Sequence, residues 1–258
     1  MMVFRSLLFN VFFFFWTASI MLIALGFLVF PRRALIGFFR LWAGGLSTAL
    51  RWLVSVKHEI RGAENIIDGP VVYACKHQSV WETFMFYMLV DEPVYIMKKD
   101  LLKIPLWGWY VRKCRSIAID RDGGSAALKG MIAEANERLA EGRPIIIFPE
   151  GTRTKAGSHL PFHPGVAALY TMTNATVVPV ALNSGLFWGR HVFTKNAGTI
   201  VVEFLEPIKQ GMKRKEFMAK LVETVNSSTD QLTDEGIAKY PSTAHMLHKQ
   251  IPASEPNR

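Results

Sequence analysis

From Ser6 to Phe30 the chain reads SLLFNVFFFFWTASIMLIALGFLVF, without one charged side chain. A helix of about 20 apolar residues matches the ~30 Å hydrocarbon layer of a bilayer, so this stretch reads as a membrane segment. A cleavable leader has a shorter apolar core and small residues before the cut, whereas FLVFPRR follows here. A fully buried core helix is the weaker reading, because such a run of phenylalanine is unusually long for one. Arg32, Arg33 and Arg40 follow the segment, while only Arg5 and the amino terminus precede it. Positive charge collects on the cytoplasmic side of membrane segments, which places the bulk of the protein there. The next stretch, Ala34 to Val56, is apolar and aromatic but interrupted by Arg40, Gly44, Gly45 and Arg51. It reads as a helix in the membrane interface with its arginines reaching for headgroups, rather than as a second span. Residues 1–56 thus form an anchoring region, in which the first segment either spans or lies in one leaflet.

After residue 56 the pattern changes. PVVYAC, PVYIM, RSIAI, PIIIF, TVVPVAL and TIVVEFL are short apolar runs with the character of strands, several continuous enough to be buried on both faces. Between them lie helix-like stretches. The clearest is Ser125 to Ala140, where Leu128, Met131, Ile132, Ala135 and Leu139 form one apolar face and Gly142 follows as a stop. Alternating strands and helices predict an α/β fold: a mixed, mostly parallel sheet flanked by helices, with the helical anchor at the N-terminus. A chain of 258 residues has room for one such domain, over about 57–240, and residues 241–258 lack periodicity and read as a mobile tail.

The formal charge of +9 favours partners that carry negative charge, whether nucleic acid, an anionic bilayer or a phosphorylated substrate. Two cysteines, Cys75 and Cys114, give neither a disulfide framework nor a zinc ribbon. His159 and His163 are four apart, but Pro161 and Pro164 spoil a helical metal motif, and no metal site is expected.

In open α/β sheets chemistry collects beyond the carboxyl ends of strands. KHQSVWET follows the first strand there, and it sets His77 five residues before Glu82. With Glu82 in the first turn of a helix starting near Val80, its carboxylate fixes the imidazole tautomer and leaves the other nitrogen as a base. A histidine serving only to cap its own helix is the plain alternative for an isolated H-x4-E. NSGLFWG around Ser184 is not a nucleophile elbow and Cys75 sits within the strand, which favours direct activation of a hydroxyl over a covalent intermediate.

KHQSVWET, AIDRD, FPEGTR with LPFHPGV, and VVPVALN occur in that order over residues 57 to 210. This ordered set resembles the sequence blocks of the glycerolipid acyltransferase family, and most of all those of bacterial 1-acyl-sn-glycerol-3-phosphate acyltransferases. The resemblance implies transfer of a fatty acyl group from a thioester of coenzyme A or acyl carrier protein to the hydroxyl of a lysophospholipid. It implies an inner cell membrane location with the catalytic domain on the cytoplasmic side, and no metal or bound cofactor. His77 and Glu82 take the catalytic roles. Gly151, Thr152 and Arg153 of FPEGTR take the acceptor phosphate, with Glu150 holding Arg153 or a glycerol hydroxyl. Arg121 in IDRDGG is the second phosphate ligand, oriented by Asp120, and Lys98 matches a family lysine that adds positive potential at the site mouth. The sequence departs from the family in having Glu82 where aspartate is usual and His163 where lysine is frequent.

Trp107, Trp109 and Tyr110 interleave with Arg112, Lys113 and Arg115, which suits a rim against anionic lipid headgroups. No motif supports nucleic acid as a partner. Acylation of a different acceptor (glycerol 3-phosphate, another lysophospholipid or a lyso-aminolipid) is the nearest competing function, and a non-catalytic lipid-binding module the competitor from another class.

Overall fold

The computed structural model describes residues 1–120 and 122–248. Helix α1 (Met2–Ala24) runs through a 3-10 turn (Leu25–Val29) to Pro31, which stands at the N-cap of α2 (Arg32–Leu53). Proline fixes φ and lacks an N–H, so it ends one helix and enters the next without losing a hydrogen bond. On α2, Leu35, Phe39, Trp42, Leu46 and Leu50 recur at helical spacing and are buried. Arg40, expected to reach for headgroups, instead donates to the carbonyl of Tyr87 at 2.9 Å.

The first helix behaves differently from a segment that simply projects into a bilayer. It buries Ser6, Phe9, Ile20 and Ala24, while Phe4, Leu8, Val11, Phe14, Phe15 and Leu22 stay exposed. Near its start, Arg5 Nε donates to the carbonyl of Leu53 at 2.6 Å and Ser6 Oγ accepts from the Lys195 N–H at 2.9 Å. Near its end, the Tyr110 hydroxyl donates to the carbonyl of Met21. Helices rise 1.5 Å per residue, so these ties sit roughly 25 Å apart. The helix therefore lies along the flank of the domain, with its unpartnered apolar face outward.

Seven strands follow: β1 (Val56–Arg61), β2 (Val71–Cys75), β3 (Val94–Lys98), β4 (Ile117–Ile119), β5 (Ile145–Ile147), β6 (Thr176–Leu182) and β7 (Gly198–Phe204). They form one sheet in the order β1-β7-β6-β2-β5-β3-β4, parallel throughout except between β6 and β7. Helices α3 (Trp81–Leu89), α4 (Trp107–Lys113), α5 (Gly124–Ala140), α6 (Gly165–Met172) and α7 (Arg214–Lys239) connect or cover it. On β2, Val71, Tyr73 and Cys75 face a core shared with α2 and α3, whereas Val72 and Ala74 face a second core with α5, α6 and α7. Cover on both faces explains why these runs are apolar without alternation.

The mixed, mostly parallel sheet agrees with the expectation, and the six apolar runs all become strands. VKHEIR, too polar to stand out as a strand, forms β1 at the sheet edge, where all of its residues except Val56 are at least partly exposed. The C-terminal segment also departs from the reading of an unstructured tail. Pro241–Met246 form a 3-10 turn with Thr243 buried, and the His248 N–H donates to the carbonyl of Ala156 at 2.9 Å. Residues 249–258 lie outside the described residues.

Candidate active site

β2 and β5 are hydrogen-bonded neighbours, with Tyr73 opposite Ile146, so the loops leaving their carboxyl ends meet. One loop carries His77 and the other carries Phe148 to Arg153. His77 Nδ1 lies 2.9 Å from Glu82 Oε1, and the ring stacks on Phe148 with centroids 4.1 Å apart. The same Glu82 oxygen accepts the N–H groups of Gln78 and Ser79, each at 2.6 Å, and the other accepts the Ser184 hydroxyl at 2.9 Å. Four donors on a buried carboxylate leave it no freedom to turn. The imidazole is thus oriented through Nδ1, and its Nε2 remains as the open nitrogen. Ser184, unsuited to be a nucleophile, is part of this brace, and neither it nor Phe148 was legible in that role from the sequence.

A second, deeper brace holds the backbone of His77. Its N–H donates to Glu150 Oε2 at 2.8 Å, and its carbonyl accepts from the N–H of Thr154 at 2.7 Å and the Thr154 hydroxyl at 3.0 Å. Glu150 in turn lies 2.6 Å from the ammonium of Lys76, both side chains being wholly buried. Lys76 also donates to Asn226 Oδ1 of α7 at 3.1 Å. Burial pushes the Glu150 carboxyl up, and Lys76 and the His77 N–H pull it back. Glu150 therefore positions the histidine loop and does not hold Arg153 or a glycerol hydroxyl, because it is 2 % exposed and already engaged on both oxygens. The pairing with Lys76 joins residues 74 positions apart, which no local pattern announces.

His77 lines a mostly apolar cavity of about 730 Å³, together with Gly151, Thr152 and Arg153. Gly151 has φ +67°, a left-handed conformation natural to glycine, and its N–H closes a turn onto the carbonyl of Phe148 at 2.9 Å. Burial lowers the Arg153 guanidinium, the Glu82 carboxylate opposes this, and the charge of Arg190 adds to the lowering. Lys98 also lines the cavity, with its ammonium 2.6 Å from Asp100. Arg121 lies outside the described residues. Its expected orienting partner, Asp120, accepts from the Asp122 N–H at 3.2 Å.

Its other walls come from α2 (Phe39, Trp42), α3 (Tyr87) and α4 (Tyr110, Val111), and α1 adds Phe13 and Met21. Of the aromatic residues expected at a lipid rim, Trp109 is exposed, Trp107 lines the cavity, and Tyr110 is buried against α1. Cys75 is buried with its thiol pushed up by burial, and Cys114 lines the cavity with its thiol pushed up to about 12 for the same reason. Neither has the character of a nucleophile.

A mostly parallel α/β sheet carrying H-x4-E after one central strand and FPEGTR after its neighbour defines a class, and the acyltransferase family model matches residues 57–183. Over those residues the chain is similar to the acyltransferase family. The 1-acyl-sn-glycerol-3-phosphate acyltransferase of Pseudomonas aeruginosa is 38% identical over 152 residues, 59% of this chain and 59% of the relative. That of Cocos nucifera is 29% identical over 180 residues, 69% of this chain and 58% of the relative. The matched regions thus span under two thirds of the length of these relatives. The crystal structure of the 1-acyl-sn-glycerophosphate (LPA) acyltransferase from Thermotoga maritima superposes with a TM-score of 0.71 at 24% identity, over 90% of this chain and 99% of that one. This likeness shows the fold.

Proposed function

We propose that the protein transfers a fatty acyl group from a thioester of coenzyme A or acyl carrier protein to the sn-2 hydroxyl of lysophosphatidate, giving phosphatidate. One observation carries this reading: an imidazole held by Glu82 at Nδ1 lines a mostly apolar cavity that Arg153 also lines, so that cationic and apolar walls share one space with the base. Such a space suits an acyl chain and a phosphate together. The hydroxyl gives its proton to His77 Nε2 as its oxygen attacks the thioester carbonyl. The tetrahedral oxyanion collapses, the carbon–sulfur bond breaks, and the imidazolium returns the proton to the leaving thiolate. The N–H groups of His77, Gln78 and Ser79 already serve the two glutamates, and that of Trp81 serves Ser79 Oγ. Val80 lines the cavity, and its N–H is our assignment for the oxyanion donor of the loop. One such donor is typically worth about 3 kcal/mol.

The same reading places the molecule on the cytoplasmic face of the inner cell membrane. The exposed face of α1 enters one leaflet, parallel to the surface, so that the cavity wall built by Phe13 and Met21 meets the lipid from which acyl chains come. Phe15, 71% exposed, is expected to insert. Phe15→Asp should reduce co-sedimentation with anionic vesicles roughly tenfold or more, since one phenylalanine withdrawn from apolar surroundings forfeits about 1.5–3 kcal/mol. Unchanged binding would remove α1 as the docking element.

Washed membranes containing the protein, given labelled acyl-CoA or acyl carrier protein and a panel of lysolipids, test the function directly. Lysophosphatidate should gain a second chain in preference to glycerol 3-phosphate, other lysophospholipids and lyso-aminolipids. Preference for another acceptor overturns the substrate, and transfer to none leaves a lipid-binding module.

A further inference from the structure

A second guanidinium stands beside Arg153, and it comes from a part of the chain outside the four sequence blocks. Arg190 follows β6 and the short 3-10 turn Ser184–Leu186, and its Nη1 donates to the carbonyl of Arg153 at 3.1 Å. β6 pairs with β2 on the side opposite β5, so this segment approaches the His77 loop from the other flank. The two cations are close enough that the charge of Arg190 acts on Arg153. Among the described residues, no carboxylate lies within 4.0 Å of either guanidinium.

An exposed arginine is ordinarily free to turn its charge away from a like charge. Arg190 is held toward Arg153 by the hydrogen bond to that carbonyl and by the path of its own backbone. Gly189 has the Met246 methyl 2.5 Å from where a Cβ would stand, and His191 adopts φ +57°, a left-handed conformation that a non-glycine residue takes up only when its surroundings fix it. Glu82, the carboxylate whose charge acts on Arg153, is already engaged by four donors, so two cations constrained together with no ion pair among the described residues suit an anion bearing more than one negative charge. A phosphomonoester carries about −1.5 to −2 at neutral pH, with its second ionisation near 6. A phosphodiester carries a single charge.

We propose that Arg190 is a further cationic contact of the acceptor phosphate, and that with Arg153 it selects an acceptor ending in a phosphomonoester over one whose phosphate is esterified twice or absent. This rests on the lysophosphatidate reading above. The guanidinium planes present several donors to the terminal oxygens, and both loops that carry them are braced to the His77 segment, by Thr154 on one side and by Ser184 on the other. Binding of the doubly charged headgroup is thereby coupled to placement of the sn-2 hydroxyl.

Steady-state acyl transfer by the full chain in mixed micelles tests this, with lysophosphatidate and lysophosphatidylglycerol as acceptors and the wild type, Arg190→Ala and Arg190→Lys compared. Arg190→Ala is expected to raise KM for lysophosphatidate roughly tenfold, the loss of one partly solvated charged contact, with kcat within about twofold and the KM for the acyl donor unchanged. Preference for lysophosphatidate over lysophosphatidylglycerol should fall by a similar factor, and Arg190→Lys should restore most of it. An unchanged KM in Arg190→Ala, or an equal loss with both acceptors, overturns the assignment while leaving the function intact. A wild type inactive on lysophosphatidate but active on another lysolipid overturns the acceptor reading itself, and the role of Arg190 with it.

Discussion

Replacing His77 with alanine is expected to lower acyl transfer roughly 10²–10⁴-fold, the range that a positioned general base supplies. The protein should remain folded and bound to membranes. His77 lines an existing cavity together with Phe148, so its truncation enlarges that space and opens no new void in the packed core. Glu82 keeps three of its four donors in the variant, because Gln78, Ser79 and Ser184 still serve it. Loss of activity with an unchanged unfolding temperature therefore separates the role of the imidazole in proton transfer from any role in the fold. Measured with saturating lysophosphatidate and acyl-CoA, the loss should fall on kcat. Near-native turnover in the alanine variant would remove His77 as the base.

Lys76→Met should produce the largest loss of stability, about 3–5 kcal/mol, because it leaves the Glu150 carboxylate buried without its cation. For a domain of this size that lowers the unfolding midpoint by about 10 °C. The loss depends on pH in a definite direction. Burial already raises the Glu150 carboxyl above its ordinary value, and removing the ammonium raises it further. A carboxyl raised in the folded state contributes stability below its unfolded value and loses it as pH rises through the folded one, so the variant should be closer to wild type near pH 5 than near pH 8. Lys76→Met combined with Glu150→Gln removes both charges, keeps an oxygen to accept the His77 N–H, and should recover most of the midpoint. A single variant that unfolds with the wild type at all pH values would mean that the pair contributes nothing.

The brace shows where legibility ends. His77 and Glu82 are five positions apart across a loop and the first turn of a helix, so their contact is a local matter and could be anticipated. The position of Glu150 in FPEGTR points to a substrate contact, yet its side chain turns inward to Lys76. That choice depends on β2 and β5 lying side by side, which follows from the crossover topology and not from either segment alone. Arg190 next to Arg153 and Ser184 on Glu82 follow in the same way from the pairing of β6 with β2. The aromatic segment around Trp107 was expected at a lipid rim, but Tyr110 turns into the core because α1 covers it.

By itself the sequence determined the things that periodicity and charge control over short distances. These are the uncharged N-terminal helix, the buried strands, α5 with its stopping glycine, and the loops on which chemistry-bearing residues stand. The tertiary structure decided that α1 lies along the domain instead of leaving it, that Glu150 supports and does not bind, and that a second guanidinium joins the first. Each of these depends on groups far apart in the chain meeting where hydrogen bonds and charges are shielded from water, and only the packing of the sheet with its helices determines which groups those are.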